Sequence, residues 1–125
     1  MPVNIKVIDP KEFIKTTVTG VFDLAASKQA LVDIASLIKQ PGEYEVLIDT
    51  RAADVELSIT NLFQIGVALA DHPLLSRSKI GLLAPMSEVD NARFLETVAI
   101  TRGVRIKAFN NFEDAITWLV LREQK

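Results

Sequence analysis

Two short runs, "VLI" at 46–48 and "IGLLA" at 80–84, carry no polar side chain and are too brief for stable helices. A strand with one wet face alternates apolar and polar residues, whereas a strand without alternation is covered on both faces. Sheets covered on both faces are built mainly from parallel strands joined by helical crossovers. These two runs therefore commit the chain to an α/β architecture with both of them near the middle of the sheet.

The flanking residues supply the rest of the pattern. "VNIKVI" sets Val3, Ile5 and Val7 against Asn4 and Lys6 with a period of two, and Asp9-Pro10 provides a turn into "EFIKTTVT", which ends before Gly20. These two segments read as a hairpin. Asp23 is a good N-cap for a helix reaching about Lys39, with Leu24, Leu31, Ile34, Ala35 and Ile38 on one face. Gln40-Pro41-Gly42 stops it, because proline cannot continue the hydrogen-bond ladder. "EVLID" is then a short strand followed by a charged loop, and Ser58 opens a second helix over Ile59–Asp71. After the strand "KIGLLAP", Ser87 and Asp90 resemble a capping box for a third helix that Gly103 ends. "VRIKAF" alternates again and belongs nearer an edge, and Asn111 caps a last helix bearing Ile116, Trp118 and Leu119. The predicted order is β-β-α-β-α-β-α-β-α. It describes one domain over residues 1–125, with a single mixed five-stranded sheet and four helices.

The sequence carries little that points to catalysis. Among its 125 residues there is no cysteine and one histidine, so thiolate chemistry, disulfides and a histidine metal cluster are ruled out together. The five glycines are isolated, without the spacing of a phosphate-binding loop. His72, at the end of the second helix, reads as a cap whose positive charge suits the helix dipole. No Gly-x-Ser-x-Gly elbow accompanies any serine. The expectation is a non-enzymatic protein with no cofactor and no metal. Fourteen Lys and Arg against sixteen Asp and Glu give a net charge of −2, so no general attraction to nucleic acid is expected. The N-terminal residues lack an apolar h-region and no run is long enough to span a bilayer. A soluble, cytoplasmic domain with no integral membrane segment is therefore expected.

The second helix is unusually apolar. Leu62, Ile65 and Leu69 suffice for a core-facing stripe, and Phe63, Val67 and Ala70 form a further strip on another side. A second strip left exposed invites association, so a symmetric homodimer is expected through this helix, with Arg51, Asp54 and Glu56 as its polar rim.

Read together, "VLIDTRAADVELS", "KIGLLAP" and "NARFLETVAITRGVRIKAFNNFEDAITWL" resemble the SpoIIAA-like family of small bacterial proteins. That resemblance implies the fold of the STAS domain, which is named for sulfate transporters and anti-sigma factor antagonists, with a structural link to the lipid-carrying SEC14 proteins. In the antagonists a serine of an Asp-Ser-Ser-Gly motif is phosphorylated at the start of the helix after the third strand. Laid on "LSIT", that motif puts Ser58 on a serine position, but Leu57, Ile59 and Thr60 replace its other residues. Ser58 is thus read first as a helix cap and only second as a phosphorylation site. The resemblance implies a regulatory or protein-interaction module, with a carrier or sensor of a small apolar, lipid-like ligand as the alternative. Parallel sheets bind ligands beyond the carboxyl ends of their strands. This singles out Asp49 and Arg51, Met86 and Ser87, and Arg93 on the next helix, together with Ser58 and Phe63, as candidate ligand- or partner-binding residues.

Overall fold

The structure is a computed structural model that describes residues 3–8, 13–38 and 45–120. Strands β1 (Val3–Ile8) and β2 (Phe13–Phe22) form the expected hairpin, paired antiparallel from Val3 opposite Val18 to Ile8 opposite Phe13. The Asp9-Pro10 turn and the Gln40-Pro41-Gly42 stop lie outside the described residues. Helix α1 (Leu24–Ala35) leads to β3 (Glu45–Val55), α2 (Ile59–Asp71) to β4 (Lys79–Leu83), and α3 (Val89–Ile100) to β5 (Arg105–Phe109), before α4 (Phe112–Val120). The strands lie in sequence order, β1-β2-β3-β4-β5. The sheet is less mixed than expected. β2 to β5 are four parallel strands, and antiparallel pairing is confined to β1 at one edge.

Parity of the strands divides the core in two. Val46, Ile48, Ile80 and Leu82 face α1, α2 and α3, whereas Leu47 and Leu83 face α4, where Ala115 and Leu119 close over them. Burial on both faces is what the unbroken apolar runs required. Gly81 matters on the α4 side, because a Cβ there would stand 3.2 Å from Leu119 Cδ1. Lys79 reinforces the same helix by donating to the carbonyl of Trp118 at its C-terminal end, at 2.6 Å.

Four boundaries differ from expectation. β2 does not end before Gly20 but runs through it to Phe22, with Gly20 at φ 76°, a left-handed conformation that costs glycine little. β3 does not stop at Asp49. Its partner on β2 shifts from Thr17 opposite Asp49 to Thr19 opposite Ala52, so β3 holds one extra residue, a bulge, and then pairs on to Val55. The expected loop is thus mostly strand. α1 ends at Ala35 rather than near Lys39, its last carbonyls taken up by the N–H groups of Ser36, Leu37 and Ile38. Finally, Ser87 caps nothing. A 3-10 turn at Met86–Glu88 precedes α3, whose N-cap residue is Glu88 without a side-chain cap bond. At the other end Gly103, at φ 93°, does close α3. The Val104 N–H reaches the Ala99 carbonyl and the Gly103 N–H that of Ile100, the paired bonds of a glycine C-cap.

Candidate functional site

Past the bulge, β3 continues beyond the last residue of β4 that pairs with it, Leu83 opposite Asp49. Thr50 secures the step by donating its hydroxyl to the Leu83 carbonyl at 3.0 Å. The overhang is braced on its other side by β2, up to Phe22 opposite Val55, and Glu56 N–H donates to the Phe22 carbonyl at 3.0 Å. Because the extra residue inverts the alternation, Ala53, Val55 and Leu57 turn toward the helices while Asp54, Glu56 and Ser58 face water.

Between this overhang, the sheet and helices α1 to α3 lies a cavity of about 60 Å³. Its floor is Ile48, Thr50, Leu82 and Ile106, and its walls are Phe22, Ala30 and Leu31 on one side and Leu62, Ile65 and Leu69 on another. Ala92 and Leu95 of α3 complete it. All lining residues are buried except Val55, Leu57, Glu88 and Asn91, which are half-buried and mark the mouth. The buried polar groups in the lining are spoken for: Thr50 donates to Leu83, and Ser27 to the Asp23 carbonyl at 2.9 Å. At the mouth, Asn91 Nδ2 donates to Glu88 Oε1 at 2.9 Å. The interior is therefore an apolar space that makes no hydrogen-bond demand on an occupant.

The residues singled out from sequence do not gather around this cavity, and they do not form one site elsewhere. Asp49 and Arg51 lie on the α4 side of the sheet, where Arg51 makes a two-pronged ion pair with Asp49 at 3.1 and 3.0 Å and adds its own N–H at 3.0 Å. Burial pushes the Asp49 carboxyl up. The hydrogen bonds and charge of Arg51, with the charge of Lys15, outweigh that and hold it below the usual carboxylate range. Arg51 is raised by its hydrogen bond to Asp49. Arg51 and Lys15 both stand over the Phe112 ring, at 5.9 and 5.2 Å. Met86 is 74% exposed at the end of β4, with its sulfur accepting from Asn110 Nδ2, and Ser87 and Arg93 are exposed.

Ser58 serves as the N-cap of α2 in a reciprocal capping box. Its hydroxyl accepts from the Asn61 N–H at 3.0 Å while Asn61 Oδ1 accepts from the Ser58 N–H at 3.1 Å. Leu62, Ile65 and Leu69 are buried, as their spacing predicted. The second apolar strip is only partly free. Val67 and Ala70 are half-buried, and Arg102 from beyond the end of α3 lies 5.3 Å over the Phe63 ring. His72 is the C-cap residue of α2, its N–H donating to the Leu69 carbonyl, and its side chain is an acceptor. Its Nδ1 takes the N–H groups of Leu74 and Leu75 at 3.1 and 3.3 Å, starting the next turn.

Among the described residues no three His, Asp or Glu side chains are grouped to hold a metal ion, and no helix is long and apolar enough to cross a membrane. No family model matches the chain, and no curated protein does. Among solved structures, it is similar to an uncharacterized protein of the DUF3478 family with a SpoIIAA-like fold from Shewanella loihica PV-4. The two align with a TM-score of 0.59 over 94% of this chain and 91% of that one, at 15% identity. The protein is thus an α/β domain with a SpoIIAA-like fold. That likeness is one of architecture.

Proposed function

We propose that the protein is a non-enzymatic binding module whose ligand is a small apolar molecule held between the sheet and helices α1 to α3. The cavity carries this reading: its interior side chains are apolar or internally hydrogen-bonded, and its mouth lies at the carboxyl ends of parallel strands, where such sheets bind ligands. An engineered apolar cavity of about 150 Å³ accepts benzene. At about 60 Å³ this one takes the end of an alkyl chain, with the remainder of the ligand passing out between Leu57 and Asn91. Titration with 1-hexanol, followed by amide shifts of Ala30, Leu57 and Ala92, tests the reading, alongside native mass spectrometry for retained ligand. Ala92→Leu fills the space and is expected to abolish the shifts. Binding by wild type and Ala92→Leu alike would overturn it.

A second reading, a regulatory module that docks a protein or a second copy of itself, is favoured by a different observation. Ile59 is 57% and Phe63 44% exposed at the start of α2, next to the overhang of β3. A patch of this kind suits a partner more than solvent. Phosphorylation of Ser58 would place charge beside Ile59 and regulate such docking. Sedimentation of the wild type and of Phe63→Glu tests the homodimer form, since a dimeric parent that becomes monomeric on this change supports it and a monomeric parent removes it.

A further inference from the structure

We infer that the ligand of the cavity carries a hydrogen-bond donor, best a cationic ammonium group, at the end that remains in the mouth. This rests on the apolar-ligand reading and extends it to the chemistry of the headgroup. The polar side chains at the mouth are Glu88 and Asn91, and they are oriented by each other. Asn91 spends an amide hydrogen on Glu88 Oε1, which leaves the second carboxylate oxygen of Glu88 and the Asn91 Oδ1 as acceptors. The ion pair of Arg51 with Asp49 lies on the other face of the sheet, and no described basic side chain forms an ion pair with Glu88. Carboxylates outnumber basic residues in the two segments that flank the mouth, 53–58 and 86–93. Asp54 and Glu56 alternate with the mouth residues Val55 and Leu57, and Asp90 follows Glu88 in the first turn of α3. The N-terminus of α3 is partly positive, but Glu88 and Asp90 already sit on it, and Arg93 on the same helix is exposed to water.

The consequence is a preference between ligands of equal apolar length. An alkylammonium places its chain in the cavity and its three donors against Glu88 and Asn91, a charge-assisted arrangement. An alkanol makes one such bond. A fatty carboxylate brings like charge to Glu88 in a half-buried position, where repulsion is poorly screened. Phenyl- or alkyl-substituted amines of similar width belong to the same class.

The experiment compares n-hexylamine, 1-hexanol and hexanoate at neutral pH by the same amide-shift titration, on wild type and on Glu88→Gln. On wild type the ammonium is expected to bind about tenfold more tightly than the carboxylate, the equivalent of one charged hydrogen bond. Glu88→Gln should erase most of that difference, and an undisturbed amide spectrum of the variant without ligand shows that it is folded. If hexanol binds in the cavity but hexanoate binds as well as hexylamine, the headgroup inference falls and the apolar-ligand reading stands. If no probe shifts the cavity amides, both fall. A preference for the amine that survives Glu88→Gln would also overturn the assignment, because it would place the recognition elsewhere.

Discussion

Gly66 on α2 and Val98 on α3 meet so closely that a Cβ built on Gly66 would stand 2.6 Å from Val98 Cγ1 and 2.9 Å from its Cβ. Replacing a helical glycine by alanine normally gains up to about 1 kcal/mol. Here the added methyl meets a β-branched side chain that is 7% exposed and stiff at χ1, so overpacking of about 1–3 kcal/mol outweighs the gain. Gly66→Ala is expected to destabilise the protein in urea denaturation, and Val98→Ala in the same chain to restore most of the loss. Additive effects of the two changes would show that α2 and α3 are not in contact there.

Thr16 offers the opposite case, a gain from removing a polar group. It is fully buried on β2, and its hydroxyl has no hydrogen-bond partner among the described residues. A buried hydroxyl left unpaired costs roughly 1–3 kcal/mol of desolvation. Thr16→Val puts a methyl in nearly the same space and should raise stability by about 1 kcal/mol. Thr16→Ser keeps the hydroxyl and opens a void, so it should be destabilising. A loss on Thr16→Val would show that the hydroxyl has found a partner.

Ser58 and Asn61 should each cost about 1 kcal/mol when changed to alanine, because each side chain satisfies a backbone N–H at the start of α2. Ser58→Asp should remain well folded, since an acidic cap also accepts from the first turn and suits the dipole. Chemical denaturation of the three variants checks this. Equal stability of Ser58→Ala and wild type would mean that the cap bond contributes nothing.

Much of the architecture was legible because two signals agree along the chain. Unbroken apolar runs marked β3 and β4, and the spacing of Leu62, Ile65 and Leu69 marked the buried face of α2, whose limits match the expected residues. The site was not legible for a definite reason. "AADVELS" reads as a charged loop, yet Ala53, Val55 and Leu57 alternate in it with Asp54, Glu56 and Ser58. That period of two was the available sign that β3 continues. It was hidden by the bulge at Thr50 and Arg51, which inverts the alternation set up by Val46 and Ile48. Arg51, at the bulge, fell on the far face, since chain position does not reveal which face a side chain takes there, and Met86, past the end of β4, stands in solvent. The half-buried Glu88 and Asn91 emerge only when α3 is set against the overhang.

The Asp49–Arg51 pair predicts how stability responds to acid. Burial alone would raise the Asp49 carboxyl, but Arg51 and Lys15 hold it below its ordinary value. A carboxylate depressed in the folded state contributes stability that is present above its unfolded pKa, near 3.9. That contribution is lost as pH falls through the lower folded value. Arg51 is 43% exposed and keeps much of its hydration when its partner is removed, so Asp49→Asn should cost no more than about 1 kcal/mol at neutral pH. The gap between wild type and Asp49→Asn should persist from neutral pH down to about pH 4 and close below it. Lys15→Met should narrow it slightly, because the charge of Lys15 is the weakest of the lowering influences. Urea denaturation of wild type, the two single variants and the double variant across this range is the check. A gap that stays constant through the acid limb would mean that Asp49 acts through packing, and that its ionised pairing with Arg51 adds no stability.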